Sequence, residues 1–298
     1  MNNLFKGSLA LATSRVIGGL NVNCTKFLLP LWITPMGYVT LRLLFATAFF
    51  WLLAIFDKPD TSSTHDKVRL LLLGAVAVFG YMSLYAVGMS YTTPVNFAIF
   101  NATQPIWVFV ISVFLHNERV TKGKVCGILM GFGGVVAASL ASPVHDLASD
   151  RFLGIGIALV SALCYSIYLI CSAGLLRRVS NLVMLRYTFL GATFSALSVS
   201  MFTGFSTPMF ITHFNATAAM VFLLVLIFPT VVSYLLVPIG IKYLKTTLVA
   251  IYGYISLVVA TVVSLLLGQD HFDIFLLIAL LLICGGIYLV SVSERVRG

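Results

Sequence analysis

Charged side chains are scarce in this 298-residue sequence: they make up only 9% of the residues, and just nine of them are acids. Soluble globular domains carry about 25% charged residues, so this chain has too little charge to cover a surface that faces water. Hydrophobic residues reach 60%, and the mean hydropathy is +1.06. The composition therefore excludes an ordinary soluble protein and predicts that lipid is the main solvent of the chain.

Acids and histidines are missing from the middle of every apolar stretch, where many proton-coupled carriers place a relay group. This absence argues against a buried-acid proton relay and favours facilitated diffusion or exchange. It also argues against an intramembrane enzyme that acts on a lipid or metabolite, since catalysis there needs a metal cluster, paired acids or a buried nucleophile with its base. A channel is a further alternative, although no segment resembles a selectivity-filter loop.

Paired cysteines are missing as well. The five cysteines lie singly in apolar stretches, without a CxxC motif, at Cys24, Cys126, Cys164, Cys171 and Cys284. They predict neither a metal site nor a disulfide framework, and we expect no cofactor. The formal net charge of +9 is scattered through polar connections, so it indicates orientation in a membrane rather than nucleic-acid binding.

Ten apolar stretches have about the 20 residues that a membrane-spanning helix requires. Because backbone groups in lipid hydrogen-bond within their own segment, these stretches predict an all-α integral membrane protein with ten transmembrane helices. The predicted spans are residues 8–29, 35–56, 68–90, 95–116, 123–141, 152–174, 181–204, 216–239, 246–267 and 274–293. The connections are short, and none of them predicts a separate soluble domain.

Basic residues are distributed unevenly between alternate connections. Thirteen of the 18 lysines and arginines lie at the two termini or in the even-numbered connections, and only Arg151 lies in an odd-numbered one. Cytoplasmic loops collect lysine and arginine, so both termini are predicted to be cytoplasmic. The other four basic residues lie within the spans, at Arg15, Lys26, Arg42 and Arg186.

The two halves of the sequence match each other at an offset of 152 residues. The matched pairs include Tyr91 with Tyr243, Glu118 with Asp270, and Gly133–Gly134 with Gly285–Gly286. We therefore predict one five-helix repeat over residues 1–142 and a second over residues 143–298. Since each half has an odd number of helices, the second half would insert upside down, as in transporters that work by alternating access.

Several motifs have the spacing of a known family. The segment Gly19–Lys26 resembles the pattern W-G-x-N-x-x-x-x-K, with Gly18 in place of the usual tryptophan, and Tyr165–Tyr168 resembles W-A-x-Y. The stretch from Tyr91 to Gly134 also fits, although in the second half Leu257 replaces a frequent proline. On these motifs the chain resembles the EamA type of the drug/metabolite transporter superfamily over its full length.

This resemblance implies two inverted five-helix repeats around a central cavity. It also implies export or exchange of small metabolites, such as amino acids, organic anions or drugs, across the inner (plasma) membrane. The expected partners are a small-molecule substrate and the lipid bilayer, with the protein as a monomer or a homodimer. It does not identify the substrate, because a fold does not determine a function.

Cations within the spans are candidate substrate-binding groups, because burying a charge in a bilayer costs several kcal/mol unless it meets a partner. We expect that Arg42, and with it Lys26, meets an anionic group of the substrate. Snorkelling to the membrane surface, or a structural bond to a helix end, is an equally supported role for Arg42. For Arg15 and Arg186, which lie nearer the predicted cytoplasmic face, we expect one of these two roles.

Polar and aromatic side chains supply the other candidates. Phe97, Asn101 and Gln104 recur at spacings of four and three, so they share one helix face, and Asn21 is a further amide in the first span. Such amides either line a cavity or join neighbouring helices. The resemblance places the helices of three tyrosines around the cavity, namely Tyr165, Tyr168 and Tyr252.

Glycine and proline complete the expectations. Gly123, Gly127 and Gly131 form a GxxxGxxxG pattern that indicates close helix packing within the fold, with a homodimer seam as the alternative. Pro105 and Pro229 lie inside predicted spans, where each removes a backbone hydrogen bond and permits a bend. We expect these two prolines to be hinges of gating or static bends.

Overall fold

The computed structural model describes residues 3–29, 31–57, 60–91, 94–116, 121–141, 148–204, 206–208, 214–268 and 274–295. All the regular secondary structure in these ranges is helical, which confirms the predicted fold class at that level. Each predicted span coincides with a helix or with a helix in two parts. They are α1 (Asn3–Leu28), α2 (Pro35–Ala54), α3 (Thr64–Tyr91), α4a (Pro94–Asn101), α4b (Gln104–His116), α5 (Lys122–Ala141), α6 (Ala148–Leu175), α7 (Asn181–Thr203), α8 (Ala216–Tyr243), α9a (Thr246–Ile251), α9b (Gly253–Leu266) and α10 (Ile274–Arg295).

Seven helical stretches within the described ranges are long and apolar enough to cross a membrane. They are Pro35–Ala54, Thr64–Tyr91, Phe97–Phe114, Leu153–Leu175, Asn181–Thr203, Ala216–Tyr243 and Thr246–Leu266. One of them runs across the break in α4, and another runs across the break in α9. Length and composition therefore support a multi-pass membrane protein.

Side-chain caps fix where several helices begin. The first turn of a helix leaves backbone N–H groups without partners, and a preceding Ser, Thr or Asn accepts from one of them. Thr34 caps α2 by accepting from Gly37, and Ser180 caps α7 by accepting from Val183 at 3.2 Å. Proline follows Thr34 directly, at a position where its missing N–H has no cost.

Two pairs of helix distortions recur at the repeat offset. α3 contains a π-helical segment at Gly74–Val78, and α8 contains one at Leu226–Val232, so the two begin 152 residues apart. α4 is broken between Asn101 and Gln104, and α9 is broken at Tyr252, within two residues of that offset. The paired distortions support duplicated halves. Outside the described residues lie the acids that the repeat aligned, Glu118 and Asp270.

The predicted hinge prolines lie at these distortions. Pro105 is the second residue of α4b, directly after the break, where a proline has no hydrogen bond to lose. Pro229 lies inside the π-helical segment of α8. Both therefore occupy places where the regular helix is already interrupted, rather than the middle of a regular helix.

The glycines of α5 pack against α10 of the same chain. A Cβ added at Gly127 would lie 2.7 Å from the carbonyl oxygen of Gly286, and one added at Gly123 would lie 2.8 Å from the Cβ of Ser293. Such distances are too short for any side chain, so only glycine lets the two backbones approach this closely. The packing predicted for this pattern is confirmed, and this face of α5 is occupied within the chain.

α3 and α7 cross at a second glycine contact. A Cβ at Gly74 would overlap the carbonyl oxygen of Thr188, and one at Gly191 would overlap the carbonyl oxygen of Leu71. Rigid backbone stands on both sides, so neither overlap can be relieved by rotating a side chain. The π-helical segment of α3 begins at Gly74, at this crossing.

We predict that Gly191→Ala separates α3 from α7 and lowers the stability of the protein by about 1–3 kcal/mol, the usual cost of overpacking. The matched control is Gly156→Ala in α6, where an added Cβ meets nothing within 4 Å. That control should be neutral or slightly stabilising, because alanine favours a helix over glycine. Thermal unfolding of both variants in detergent measures the difference, and equal unfolding temperatures would contradict the proposed close crossing.

Candidate functional site

A cavity of about 90 Å³ lies among α1, α2, α3, α4, α6, α8 and α9. A water-sized group needs roughly 10–15 Å³ of such space, so the cavity holds about half a dozen of them. Its walls combine polar, aromatic and small side chains. The lining residues are Ser14, Arg15, Gly18, Asn21, Val22, Arg42, Tyr81, Met82, Tyr85, Phe97, Ala98, Asn101, Ala102, Gln104, Pro105, Tyr165, Pro229, Ser233, Tyr234, Val237, Gly253, Ser256 and Leu257.

Most of the residues predicted for the site meet at this cavity. Six of the nine substrate-binding candidates line it, together with both hinge prolines. The six are Asn21, Arg42, Phe97, Asn101, Gln104 and Tyr165. They come from four helices, α1, α2 and α4 of the first half of the chain and α6 of the second, and the structure brings them to one region.

The other three candidates are not among the residues that line the cavity. Lys26 donates to the carbonyl oxygen of Met89 at 3.3 Å, near the C-terminal end of α3, where a cation is favourable. Tyr168 is 1% exposed and packs behind Tyr165, with ring centroids 5.8 Å apart. Tyr252 is half-buried at the break between α9a and α9b.

A hydrogen-bond network joins α1, α2 and α8 at one wall of the cavity. The Arg42 guanidinium donates from Nε to the Thr230 hydroxyl at 2.8 Å and from Nη1 to the Tyr38 hydroxyl at 3.2 Å. Tyr38 in turn donates to the Asn21 side-chain oxygen at 3.1 Å and lies 2.7 Å from the Thr25 hydroxyl. Arg42 therefore lines the cavity and also helps to hold three helices together, through hydroxyl groups within the helices rather than through a helix end.

The break in α4 presents side-chain amides to the cavity. The Gln104 amide donates to the Asn101 side-chain oxygen at 3.2 Å across the break. The Ser166 hydroxyl of α6 lies 3.3 Å from the Gln104 carbonyl oxygen and donates to it. Non-helical backbone at membrane depth is tolerated where it lines a cavity or is buried in protein, and this break meets that condition.

Aromatic rings also line the cavity. Tyr81 and Tyr165 lie with their ring centroids 4.7 Å apart, and Tyr85 meets Phe97 edge to face at 5.0 Å. Tyr234 of α8 also lines the cavity. Nothing in one sequence separates a tyrosine at a cavity from one in the core, so the sequence does not single out Tyr81, Tyr85 and Tyr234.

Arg15 is the functional candidate that the sequence expectation missed. Its predicted depth suggested a structural role near the cytoplasmic face, but the structure buries it at 8% exposure in the cavity wall. The guanidinium carbon lies 5.2 Å from the centre of the Tyr165 ring. A signal was present in the spacing, because Ser14, Gly18 and Asn21 lie on one helix face beside it.

Arg186 has a structural partner instead. It forms an ion pair with Asp60 in the connection between α2 and α3, and Lys67 joins the same carboxylate at 3.1 Å. Burial by itself raises the pKa of Asp60, but hydrogen bonds from Ser62, Lys67 and Arg186 outweigh that effect. The pKa of Asp60 is therefore well below its ordinary value. The structural role expected for Arg186 agrees with this ion pair.

The chemistry of the cavity is that of a binding site. Its lining holds guanidinium, amide, hydroxyl and phenol groups, and among the described residues it has no carboxylate, histidine or cysteine. In the part of the chain that the structure describes, no group of three potential metal ligands occurs. These side chains can recognise a polar solute through hydrogen bonds and charge.

Comparison with known proteins identifies the family. The profile of the EamA-like transporter family matches residues 5–140 and 152–292, which together make up most of the chain. The two matches are consecutive, so the chain carries two EamA domains. The resemblance drawn from the motifs is confirmed.

Curated relatives and a solved structure agree with this match. The uncharacterized transporter YyaM of Bacillus subtilis is 24% identical over 289 residues, covering 94% of this chain and 92% of the relative. The uncharacterized inner membrane transporter YhbE of Escherichia coli is 27% identical over 144 residues, covering 46% of this chain and 45% of the relative. A crystal structure of another protein superimposes with a TM-score of 0.72 at 19% identity, over 98% of this chain and 99% of that one, and this likeness concerns the fold alone.

We predict that Asp60→Asn lowers stability by about 1–2 kcal/mol, because Arg186 then loses its counter-charge in a mostly buried place. The exposed Asp57→Asn is the matched control with the same change of charge. Since the pKa of Asp60 is held below its ordinary 3.8, its stabilisation is fully present above that value and disappears as the pH falls below it. The stability difference between wild type and Asp60→Asn should therefore be constant from about pH 5 to pH 8.

Thermal unfolding at several pH values checks this prediction. A loss in Asp60→Asn no greater than that in Asp57→Asn would show that the ion pair contributes nothing. A stability difference that changes steeply near neutral pH would contradict the assignment to this carboxylate.

Proposed function

The chain belongs to the EamA-like transporter family, and we propose that it moves a small metabolite across the cytoplasmic membrane by alternating access, as an exporter or an exchanger. One observation carries the proposal: a polar cavity lies between helices of both halves, lined by Asn21, Arg42, Asn101 and Gln104. Transporters of duplicated fold commonly bind their substrate at the interface of the repeats. The family is one of transporters rather than enzymes.

The topology we propose has ten transmembrane helices in two inverted repeats, residues 1–142 and 143–298, with both termini in the cytoplasm. The asymmetry of lysine and arginine between alternate connections supports this orientation. The distortions that recur 152 residues apart in α3 and α8 support the repeat. The name of the Escherichia coli relative supports an inner-membrane location.

Within the cavity, we assign substrate contacts to the polar side chains and an enclosing role to Phe97 and Tyr165. Lys26, Tyr168 and Tyr252 are not carried into this site, because their side chains lie outside the cavity lining. Alternating access needs points where the helices bend. The break before Pro105 and the π-helical segment around Pro229 are the bending points we propose, since both interrupt the helix at the cavity wall.

A channel remains the second candidate function. Like a carrier, a channel would place polar groups on a path through the helices, so the lining alone does not separate the two. Their kinetics do: a carrier saturates and shows counterflow, whereas a channel conducts without either. Counterflow in proteoliposomes therefore decides between them.

We predict that Arg42→Ala abolishes counterflow, with a loss of at least about tenfold, while the protein still assembles in the membrane. The variant removes the positive charge from the cavity wall and both bonds to Thr230 and Tyr38. The assay is counterflow in proteoliposomes with labelled amino acids, nucleotides, sugar phosphates and organic acids. Arg69→Ala, which removes an exposed arginine of α3, is the matched control and should transport normally.

Two further variants keep this test decisive. Thr230→Val removes the acceptor of the Nε bond, together with the hydroxyl's own bond to the Val225 carbonyl oxygen. Because it keeps the positive charge of Arg42, it should reduce transport less than Arg42→Ala does. Arg42→Lys keeps the charge but loses the planar fork, so it should lie between the two. Unchanged counterflow in a correctly assembled Arg42→Ala protein would remove Arg42 from the site.

We also predict that counterflow persists when the proton gradient is collapsed, because the described lining of the cavity contains no carboxylate or histidine that could carry a proton. The measurement adds a protonophore to proteoliposomes at a constant substrate gradient. The rate of wild-type counterflow should change by less than about twofold, which corresponds to a change of less than about 0.5 kcal/mol in the activation free energy of transport. Loss of concentrative uptake on adding the protonophore would contradict the prediction and indicate proton coupling.

A further inference from the structure

Arg15 is a buried charge with two guanidinium nitrogens that have no acceptor among the described residues. Its side chain is 8% exposed, and its Nε and Nη2 atoms lack a hydrogen-bond partner among the described residues. Its guanidinium carbon lies 5.2 Å from the centre of the Tyr165 ring, and its backbone oxygen accepts a hydrogen bond from the Ser256 hydroxyl. A buried charge without a counter-charge is strongly unfavourable. The described residues supply no counter-charge for this guanidinium, so its partner must come from outside the protein.

The other arginine of the cavity is in a different state. Arg42 already donates to Thr230 and Tyr38, so those two donors are satisfied within the protein. No carboxylate occurs among the described residues that line the cavity. Both arginines thus lack a counter-charge in the described lining, and Arg15 also has guanidinium donors without an acceptor there.

A second, larger cavity extends along the same helices. It has a volume of about 760 Å³, and it is lined by residues that include Ala173 of α6, Ile241 of α8 and Thr246 of α9. Along α8, Ile241 of this second cavity lies one helical turn beyond Val237 of the central cavity. Along α6, Ala173 lies about 12 Å beyond Tyr165, at 1.5 Å per residue. We call this second cavity the vestibule.

The vestibule is basic. Arg177, Lys242 and Lys245 line it, and its described lining contains no acid. With the proposed orientation it opens toward the cytoplasm. Cations around a cleft with low-dielectric walls raise the local concentration of anions and speed their arrival. The vestibule and Arg15 thus favour solutes of the same charge, although they are independent features of the structure.

We propose that the substrate is a compact water-soluble anion and that Arg15 binds its carboxylate or phosphate group through the Nε–H and Nη2–H edge. This proposal rests on the transport function proposed above and adds the substrate class. The parallel N–H groups of a guanidinium match two oxygens of such an anion, which makes the contact bidentate and charge-assisted. In the conformation of the protein that the structure describes, the small volume of the central cavity limits the rest of the solute to a few heavy atoms.

The first test measures binding by thermal unfolding of the purified protein in detergent. The probes are formate, acetate and inorganic phosphate, against acetamide and chloride at equal ionic strength. The oxyanions should raise the unfolding temperature saturably by about 2–4 °C, and acetamide and chloride should not. Arg15→Gln should abolish the shift, and Arg15→Lys should keep part of it.

The matched control for this test is Lys6→Gln, which removes an exposed cation from the same helix. It should respond to the oxyanions as the wild type does. Equal shifts in wild type and Arg15→Gln would overturn the proposal, as would equal shifts with acetamide or chloride. A short-chain phosphatidylglycerol that shifts the wild type while the free oxyanions do not would identify a lipid headgroup as the occupant and would also overturn it.

The second test needs no ligand. Because the empty site holds an uncompensated charge, Arg15→Met should raise the unfolding temperature of the protein by about 2–4 °C. Arg42→Met, which removes the same group but leaves Thr230 and Tyr38 without their donor, should lower it. If Arg15→Met lowers the unfolding temperature as Arg42→Met does, Arg15 is a structural residue and the proposal fails.

Counterflow separates this proposal from the transport function beneath it. Saturable counterflow of a neutral solute that survives Arg15→Gln would keep the transporter and discard the anion site. An oxyanion shift that depends on Arg15, without counterflow of any labelled organic acid or sugar phosphate, would keep the site and discard the transport function.

Discussion

Inside a bilayer a buried polar group must find its partner within the protein, because no water is present to replace one. The network from Asn21 through Tyr38 and Arg42 to Thr230 satisfies this requirement with side chains of three helices. Each member is buried, so its bonds also determine how α1, α2 and α8 sit together. Arg15 violates the same requirement in the same cavity wall, and that contrast is the reason to assign it to a ligand rather than to the fold.

Helix irregularities and the cavity occupy the same places. Asn101 and Gln104 flank the break in α4, Gly253 follows the break in α9, and Pro229 lies in the π-helical segment of α8, and all four line the cavity. A break frees backbone N–H and C=O groups from the helical hydrogen bonds. At membrane depth these groups are tolerated only beside polar partners. At the α4 break the Ser166 hydroxyl supplies such a partner to the Gln104 carbonyl oxygen, while the Gln104 and Asn101 amides bond to each other at the cavity.

How far the sequence predicts this molecule depends on which physical signal each feature carries. Long apolar runs predict the helices because a bilayer leaves the backbone no other structure. Asn101 and Gln104 were predictable because an amide in lipid must point inward. The place of Arg15 in the cavity lining was not predictable, because distance along the chain gives depth but not the facing direction of a long side chain. Lys26 has the same ambiguity: it turns toward the carbonyl oxygen of Met89 rather than the cavity.

The duplicated halves do not use their paired arginines alike. Upstream of the stretch matched at 152 residues, Leu41–Arg42 matches Leu185–Arg186 at an offset of 144 residues. The loop carboxylate of Asp60 neutralises Arg186, whereas Arg42 bonds to hydroxyl groups and keeps its charge uncompensated. A single acid outside the helices therefore breaks the electrostatic symmetry of the two halves. The cavity keeps a net positive potential from Arg15 and Arg42, both from the first half, while the second half lines the basic vestibule with Arg177, Lys242 and Lys245. An anion would thus meet cations of one half at the entrance and cations of the other at the centre, so each half contributes a different step of the same path.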